Sequence, residues 1–588
     1  MLPFLYADTH MAPAGARAVG SAMVEAGFPK TRIVLQQWNR NFRPSRMRLD
    51  GRLPDIFMIS SMQIHWAPCR ELIRDVCRIE PDRRPLVIVG GPKVIYEPWD
   101  VFGPDADDPW SADVAVTGEE FVLLSLLEAV LSERAGGESV RSAFLRARDK
   151  GALDGILGLV YARGREGSPE ELVDTGIQRL LGDLDELPHP VHGYGLLEQP
   201  SSRDTLASRP LAANKISRRT PIASLVLTLG CKFGCEYCPI PAYNQRQYRC
   251  KSGERVAEEI ARLYRTYRLR FCFGADDNFF NDPERTLEIG EALLRRAEGG
   301  SRPHRKTRLA TEATIHDTLR MKEHLPMLRR AGLYALWLGV EDMSGNLVRK
   351  GQSANETVEA FRLLRENGIL PVPMMMHHDE QPLISRNGNA GLLNQLGVLR
   401  KAGALYMQIT MLTPSPGSKL YVGTYTSGLA YRRVDGVPVE PHIVDGNHVV
   451  ASNHPKPWTR QLNLILGYLY FYNPLRMLWA FVRPKTRIPF ADLDFPPAPG
   501  RPAKRKPLRS RLRRKFRTRL GDAAVQVFGM WGLTRTIPRA FRWFLRLRRG
   551  RIERTTAPPM SRVPMRSPDG GPAAHALPGT PGPSSAEA

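Results

Sequence analysis

The chain has 588 residues, a length that allows three or four domains at about 150 residues each. Apolar residues make up 42% and charged residues 24%, enough for packed cores, which excludes a largely disordered chain. The net charge of +24 is lopsided: residues 501–554 hold 19 Arg and Lys against Asp522 and Glu553, a net +17 that leaves +7 for the rest.

Seven cysteines at this length make no disulfide framework. Three of them fall within eight positions, which points to metal or redox chemistry. Met1 to His10 has no basic region and only a short apolar run, so no secretory signal is expected. The nearest candidate for a membrane span, Leu462–Val482, is interrupted by Asn473, Pro474 and Arg476. The expectation is a cytoplasmic protein, peripheral on the inner face of the membrane.

Residues 1–135 alternate strand and helix. Apolar runs at Leu2–Ala7, Arg32–Leu35, Ile56–Ser60, Leu86–Val89 and Val114–Val116 read as strands, and Ala14–Ala26 as a helix stopped by Gly27. This order predicts a doubly wound, Rossmann-like domain that binds ligands at the C-terminal ends of its strands. The loops Asp8–Ala14, Ser60–Ile64 and Gly90–Lys93 would face that ligand.

Residues 136–215 read as a connector. Gly155–Ala162 and Glu171–Leu180 flank the turn Gly164–Pro169 as a hairpin, and Asp183–Pro190 is a linker. Residues 216–430 hold strands at Ser224–Leu229, Arg270–Gly274, Thr307–Thr311, Tyr334–Gly339, Pro371–Met376 and Tyr406–Leu412, with helices between. This predicts a partial (β/α)6 barrel with its chemistry at the C-terminal strand ends. Residues 431–500 form an α-rich extension, and 555–588, rich in Pro, Gly, Ser and Ala, are expected to be disordered.

Cys231, Cys235 and Cys238 stand at Cys-x3-Cys-x2-Cys spacing in the loop leaving the first barrel strand. Such a loop lets three thiolates meet three irons of a 4Fe-4S cluster and leaves the fourth iron open. Zinc favours four ligands, usually in two pairs, and no second pair stands at matching spacing. The other cysteines do not cluster: Cys69 and Cys77 share a predicted helix, Cys272 lies within a strand, and Cys250 is unplaced. No auxiliary cluster is expected.

The triad, its strand and the βα series after it resemble the radical S-adenosylmethionine (SAM) superfamily, over about residues 220–420. The resemblance implies that the open iron chelates SAM and that the reduced cluster splits it into methionine and a 5′-deoxyadenosyl radical. An external donor such as ferredoxin or flavodoxin would supply the electron. By the same resemblance Tyr237 lies beside the adenine, Asp276 and Asp277 near the methionine end, and Glu341 on the ribose hydroxyls. Lys350-Gly351 and the turn Thr413–Ser418 fit the pattern too.

One place departs from it. After the fifth strand many relatives have a Gly-rich loop, where this chain has Met375–Glu380. His377, His378 and Asp379 are therefore candidate catalytic residues, as proton donors or hydrogen-bonding partners at the barrel mouth.

One class of the superfamily carries an N-terminal cobalamin domain, with Asp-x-His-x-x-Gly, then Ser-x-Leu, then Gly-Gly. Here Asp8-Thr9-His10 follow the first predicted strand, Ser60-Ser61-Met62 the third and Gly90-Gly91 the fourth. Pro13 stands where the first glycine belongs. The resemblance implies cobalamin held by Asp8, His10, Ser60, Gly90 and Gly91, with the lower cobalt ligand left open by Pro13. Glycines suit a flat corrin that needs close backbone approach.

Arg501–Leu520 has eleven Arg and Lys, and the apolar stretch Ala523–Leu533 follows it. Then Arg535, Arg539, Arg542, Arg546 and Arg549 recur at helical spacing beside Ile537, Phe541, Phe544 and Leu545. A basic amphipathic helix with such residues suits an anionic membrane surface. The charge would also suit nucleic acid, although an arm of that kind needs fewer apolar residues.

The expected function is a cobalamin-dependent radical SAM enzyme that methylates an unactivated carbon of a small-molecule or lipid substrate. Two alternatives stay open. One is radical rearrangement, cyclisation or hydrogen abstraction without methyl transfer. The other is a nucleic-acid-binding protein with a structural or redox-sensing cluster.

Overall fold

A computed structural model describes residues 11–103, 110–165, 168–178, 180–298, 307–345, 347, 353–386, 388–482 and 508–575. The predicted strand Leu2–Ala7, the candidates Asp8 and His10, and Lys350-Gly351 lie outside these residues.

Strand β1 (Met11–Ala12) runs into helix α1 (Ala14–Glu25), close to the predicted helix. Strands β2 (Ile56–Ser60), β3 (Leu86–Gly90) and β4 (Val114–Val116) then pair in parallel. Helix α2 (Trp66–Cys77) joins the first two. Leu86, Val87, Ile88 and Val89 are all buried, as a parallel strand covered on both faces requires. Helices α3 (Glu120–Ser132) and α4 (Val140–Asp149) lead to the predicted hairpin, β5 (Leu159–Arg165) and β6 (Ser168–Asp174). It adds antiparallel to β4. The run Arg32–Leu35 does not join this sheet; only Ile33 forms a bridge, to Leu197.

The second sheet has β7 (Ile222–Leu225), followed by a small ribbon, β8 (Thr228–Leu229) with β9 (Arg249–Cys250). After helix α5 (Gly253–Tyr267) come β10 (Phe271–Gly274), helix α6 (Pro283–Glu298), β11 (Arg308–Thr314) and helix α7 (Leu325–Ala331). Strand β12 (Leu333–Glu341), helix α8 (Ala354–Glu366), β13 (Leu370–His377), helix α9 (Leu392–Ala402) and β14 (Gln408–Met411) complete it. All six predicted barrel strands are present. They are parallel and in sequential order, with β1 as an unpredicted seventh at the edge. Val256, Ile260, Leu263, Tyr264 and Tyr267 of α5 are all buried, so the helical stripe of the sequence faces the sheet.

The C-terminal region is built on β15 (Tyr431–Val434), β16 (Val437–Pro438), helix α10 (Pro457–Phe471) and helix α11 (Pro474–Val482). The break between α10 and α11 falls at Asn473-Pro474, where the apolar run is interrupted. The long helix α12 (Leu508–Arg549) follows, with Pro538 inside it.

Tyr468 of α10 and Tyr472, which caps its C-terminal end, cover the free edge of β14. Tyr468 Oη accepts from the Ile409 N–H at 2.9 Å and donates to its carbonyl at 2.6 Å. Tyr472 treats Met407 the same way, at 2.7 and 3.2 Å. This satisfies backbone groups that an open sheet edge leaves unpaired. Helix α12 packs tightly on Tyr472, since a Cβ on Gly529 would lie 2.2 Å from its ring.

Residues 555–575 are not disordered. Strand β17 (Ile552–Arg554) pairs with β15, and β18 (Met565–Arg566) adds to β6. Val563 and Met565 pack against the core of the first sheet, and His575 bonds to Asp174. The Pro- and Gly-rich composition forbids a core of its own, but the segment borrows an existing edge.

The first sheet docks on the second through Tyr96 and Glu97. Tyr96 lies against Gly417, where a Cβ would come within 2.2 Å of its ring, and donates to the Pro239 carbonyl at 3.1 Å. Tyr421 donates to Glu97 at 3.1 Å, and buried Lys93 pairs with Glu97 at 2.5 Å. Tyr421→Phe removes a buried hydrogen bond to a charged group. We expect it to cost roughly 1.5–3 kcal/mol in urea unfolding, without changing the far-ultraviolet spectrum.

Candidate active site

The cysteine loop leaves β8 through Gly230, whose φ is +95° and whose added Cβ would lie 2.0 Å from the Gln247 carbonyl oxygen. Only glycine fits there. Beyond it Cys231, Cys235 and Cys238 are half-buried and unbridged.

Two carboxylates at the end of β10 hold the loop. Asp276 accepts from the N–H groups of Leu227 at 2.9 Å and Thr228 at 2.8 Å, and from the Thr311 hydroxyl at 2.5 Å. Burial raises its carboxyl to about 6. Asp277 accepts from the Gly230 N–H at 2.7 Å and from Asn244 at 3.1 Å. Asn281 accepts from the Lys232 N–H at 2.7 Å, and Asp317 pairs with the Lys232 ammonium at 2.5 Å. Asp276, expected beside SAM, is thus engaged with the barrel's own backbone, while Asp277 reaches the cysteine loop.

Burial pushes the Cys238 thiol up to about 12, and the charges of Cys235, Asp277 and Cys231 add to this. The three sulfurs therefore lie within electrostatic reach of each other. Among the described residues no three His, Cys, Asp or Glu side chains converge on a single ion. A cubane takes one thiolate at each of three corners and asks for a wider spread. The donor set fits a cluster.

Tyr237 and Glu341 come together at this loop. Burial raises the Tyr237 hydroxyl, and the charge of Glu341 raises it further. The neighbouring Cys235 raises it too. Glu341 ends β12 with φ of +57°, at a register shift opposite Met375. A non-glycine residue in that conformation is strained, and such strain gathers at functional sites.

Ser60, Gly90 and Gly91 meet at the C-terminal ends of β2 and β3, where Ser60 pairs with Gly90. Gly91 has φ of +88°, and a Cβ there would lie 3.0 Å from the Ser60 hydroxyl. All three line a cavity of about 2580 Å³ between the two sheets. On the barrel side Leu229 and Asp277, which flank the cysteine loop, border it. Its far end, inside the half-barrel, is aromatic: Phe271, Phe273, Tyr334, Trp337 and Tyr406, closed by Phe528 of α12. The volume and the glycine-lined rim fit a corrinoid beside a further ligand.

His377, His378 and Asp379 do not face this cavity, which corrects the expectation of a barrel-mouth role. His377 is fully buried between Gln381, 2.7 Å away, and Asn463, 3.3 Å away; burial holds it down to about 3, so it is neutral. His378 lies 3.5 Å from Asp342. Burial opposes ionisation of Asp342, yet hydrogen bonds from His378, Gln395 and Ser344 keep it well below the carboxylate range. Asp379 accepts from Ser452 at 2.6 Å and from the Asn453 N–H at 2.8 Å. His377 and Asp379 tie the end of β13 to the C-terminal region, while His378 ties it to Asp342 after β12. The reason is α10, which covers this strand end with Arg460 and Asn463.

Glu312 was not anticipated, because the strand predicted to end at Thr311 runs on to Thr314. A lone carboxylate among small and apolar strand residues was the available signal. Glu312 lines the cavity, and burial together with the charges of Asp277, Asp276 and Glu341 raises it to about 8. It is protonated at neutral pH.

Residues 225–382 match the model of the Radical SAM superfamily. The hopanoid C-3 methylase of Methylococcus capsulatus is 29% identical over 245 residues, covering 40% of this chain and 45% of that protein. The chain thus matches less than half of that relative's length. Among solved structures, the radical SAM methyltransferase TsrM from Kitasatospora setae, with tryptophan substrate and a SAM analogue bound, superposes with a TM-score of 0.54 at 16% identity. The match covers 79% of this chain and 87% of TsrM. The cobalamin-dependent radical SAM enzyme OxsB, with aqua-cobalamin and SAM bound, gives 0.53 at 14% identity, covering 92% of this chain and 82% of OxsB. At these identities the likeness is one of fold. The α/β architecture, with its parallel half-barrel and helical C-terminal region, is that of these enzymes.

Asp277→Ala strips the Gly230 N–H and Asn244 of their acceptor. Anaerobic reconstitution should then incorporate less than half the parent's iron, by colorimetric assay, with secondary structure unchanged. Glu312 supplies a pH signature in the apoprotein. It ionises near 4.5 when unfolded and near 8 when folded, so rising pH favours the unfolded chain across that interval. Stability from urea titrations should fall more steeply from pH 5 to 8 in the parent than in Glu312→Gln.

Proposed function

We propose that this chain, a radical SAM protein by its central domain, is a cobalamin-dependent methyltransferase acting on an unactivated carbon of an apolar, lipid-like substrate. One observation carries the reading. Leu229 and Asp277 beside the cysteine loop, the Ser60–Gly91 strand ends and the aromatic half-barrel border one cavity of about 2580 Å³. When bound, the 4Fe-4S cluster and SAM supply a 5′-deoxyadenosyl radical, and cobalamin supplies a methyl carrier that SAM also charges.

The residues of the chain position these groups. Cys231, Cys235 and Cys238 each hold one iron, on a loop fixed by Gly230 and Asp277. Tyr237 would lie beside the adenine, and Glu341 would accept from the ribose hydroxyls. Ser60, Gly90 and Gly91 leave the backbone bare for a corrin face. Protonated Glu312 donates a hydrogen bond without adding negative charge near the SAM carboxylate. The aromatic end excludes water and holds a flat hydrocarbon such as an isoprenoid or polycyclic skeleton. A relative named for a hopanoid is in keeping with this.

An external ferredoxin or flavodoxin delivers the electron. A lipid substrate also suits a cytoplasmic enzyme working on the inner face of the membrane, where the basic segment 501–554 would meet it.

The test is anaerobic. The reduced, reconstituted protein should form 5′-deoxyadenosine from SAM, and Cys231→Ala/Cys235→Ala/Cys238→Ala should reduce this to background. With cobalamin, label from methyl-labelled SAM should enter a lipid extract of the source cells. 5′-Deoxyadenosine without methyl incorporation would favour radical chemistry lacking methyl transfer. Turnover unchanged by loss of the cysteines would overturn the reading.

A further inference from the structure

Helices α11 and α12 lie side by side, with the Phe481 and Phe516 rings edge to face 6.4 Å apart. Together they present an apolar surface. On α11, Leu475, Leu478, Trp479 and Val482 are 77, 58, 49 and 62% exposed, and no residue of that helix is buried. On α12, Leu520, Val527 and Trp531 are exposed as well. Clustered exposed apolar side chains mark an interaction surface.

The charge of the same region identifies what covers it. Residues 508–520, the start of α12, hold seven Arg and Lys and no acid, and Arg535, Arg539 and Arg542 further along it are exposed. A second copy of this chain would set like charge against like. An anionic bilayer accepts both features, apolar side chains at the acyl boundary and arginines among the phosphates. Among the described residues no helix is long and apolar enough to cross a membrane, so the hairpin would lie in the interface.

The cavity reaches the same helix. Val525 and Phe528 of α12 line its aromatic end, while their neighbours Val527 and Trp531 are exposed outside. Helix α12 is therefore the wall between the cavity and the apolar surface.

We propose that the α11–α12 hairpin docks in the headgroup layer of an anionic membrane. The aromatic end of the cavity then opens beside the bilayer, so that an apolar substrate enters without crossing water. The entry route rests on the methyltransferase reading, whereas the docking does not.

The experiment is flotation of the full chain with vesicles at physiological salt. One set is phosphatidylcholine alone, the other equal parts phosphatidylcholine and phosphatidylglycerol. The parent should float with the anionic set only. Leu475→Ser/Leu478→Ser/Trp479→Ser should weaken this at least about tenfold, because each substitution removes an apolar side chain from the acyl boundary. Its cysteine-dependent 5′-deoxyadenosine formation should match the parent's. Equal flotation of parent and triple variant overturns the proposal. So does a dimer that the triple variant turns into monomer, which assigns the surface to a second copy. Release of parent and variant alike by single-stranded RNA assigns the basic segment to nucleic acid and overturns it too. Lost flotation with intact SAM cleavage leaves the methyltransferase reading standing. Lost SAM cleavage with intact flotation leaves the docking standing.

Discussion

The site depends on two adjacent carboxylates that accept hydrogen bonds from backbone N–H groups. Asp276 ties β7 and the start of β8 to β10 and β11, and Asp277 ties the cysteine loop to the same corner. A three-cysteine loop has little apolar material of its own. Its geometry therefore has to be imposed from the strand ends, and carboxylates do so because one group can accept several N–H donors. The adjacency has an electrostatic consequence. Asp276, Asp277 and Glu341 all raise Glu312, so one carboxyl of the group stays protonated at neutral pH.

The cavity joins two chemistries. Its strand-end side is polar and glycine-rich, and its inner side is aromatic. The first sheet contributes the glycine rim and apolar side chains such as Met58, Ile59 and Ile88, while the second contributes Asp276, Asp277, Glu312 and the aromatic floor. The two sheets are locked by Tyr96 on Gly417 and by Tyr421 on Glu97, so the rim and the cysteine loop have a fixed relation. Helix α12 closes the floor, and its position follows from Gly529 meeting Tyr472, which in turn covers the edge of β14.

Much of this was legible in the sequence because it rests on local signals. Alternating apolar runs placed the barrel strands, the helical stripe placed α5, and the cysteine spacing placed the loop. Gly90-Gly91 and Ser60 were legible because a strand end that must approach a ligand or a neighbouring strand closely leaves a glycine signature. What escaped depends on distant partners. His377, His378 and Asp379 read as a polar barrel mouth, but α10, 86 residues further on at Asn463, engages His377 and the Asp379 carbonyl, and Asp342 takes His378. Glu312 was hidden by a three-residue error in a strand end. The short β1 and the two-residue β18 carry no pattern of their own, and only the edges they join give them strand geometry.

Strand β18 has a consequence for how the chain is made. It completes an edge at β6, and His575 reaches Asp174 across 401 residues of sequence. At about 5–20 residues per second, a ribosome takes roughly 20–80 seconds to bridge that gap. During this time β6 is an open edge beside a finished hairpin, and β1 waits for β7 in the same way over a shorter interval. The first sheet is thus synthesised before the second and closed after it. Its nascent edge is a natural substrate for chaperones, and the late strap converts a cotranslational intermediate into the sealed two-sheet body.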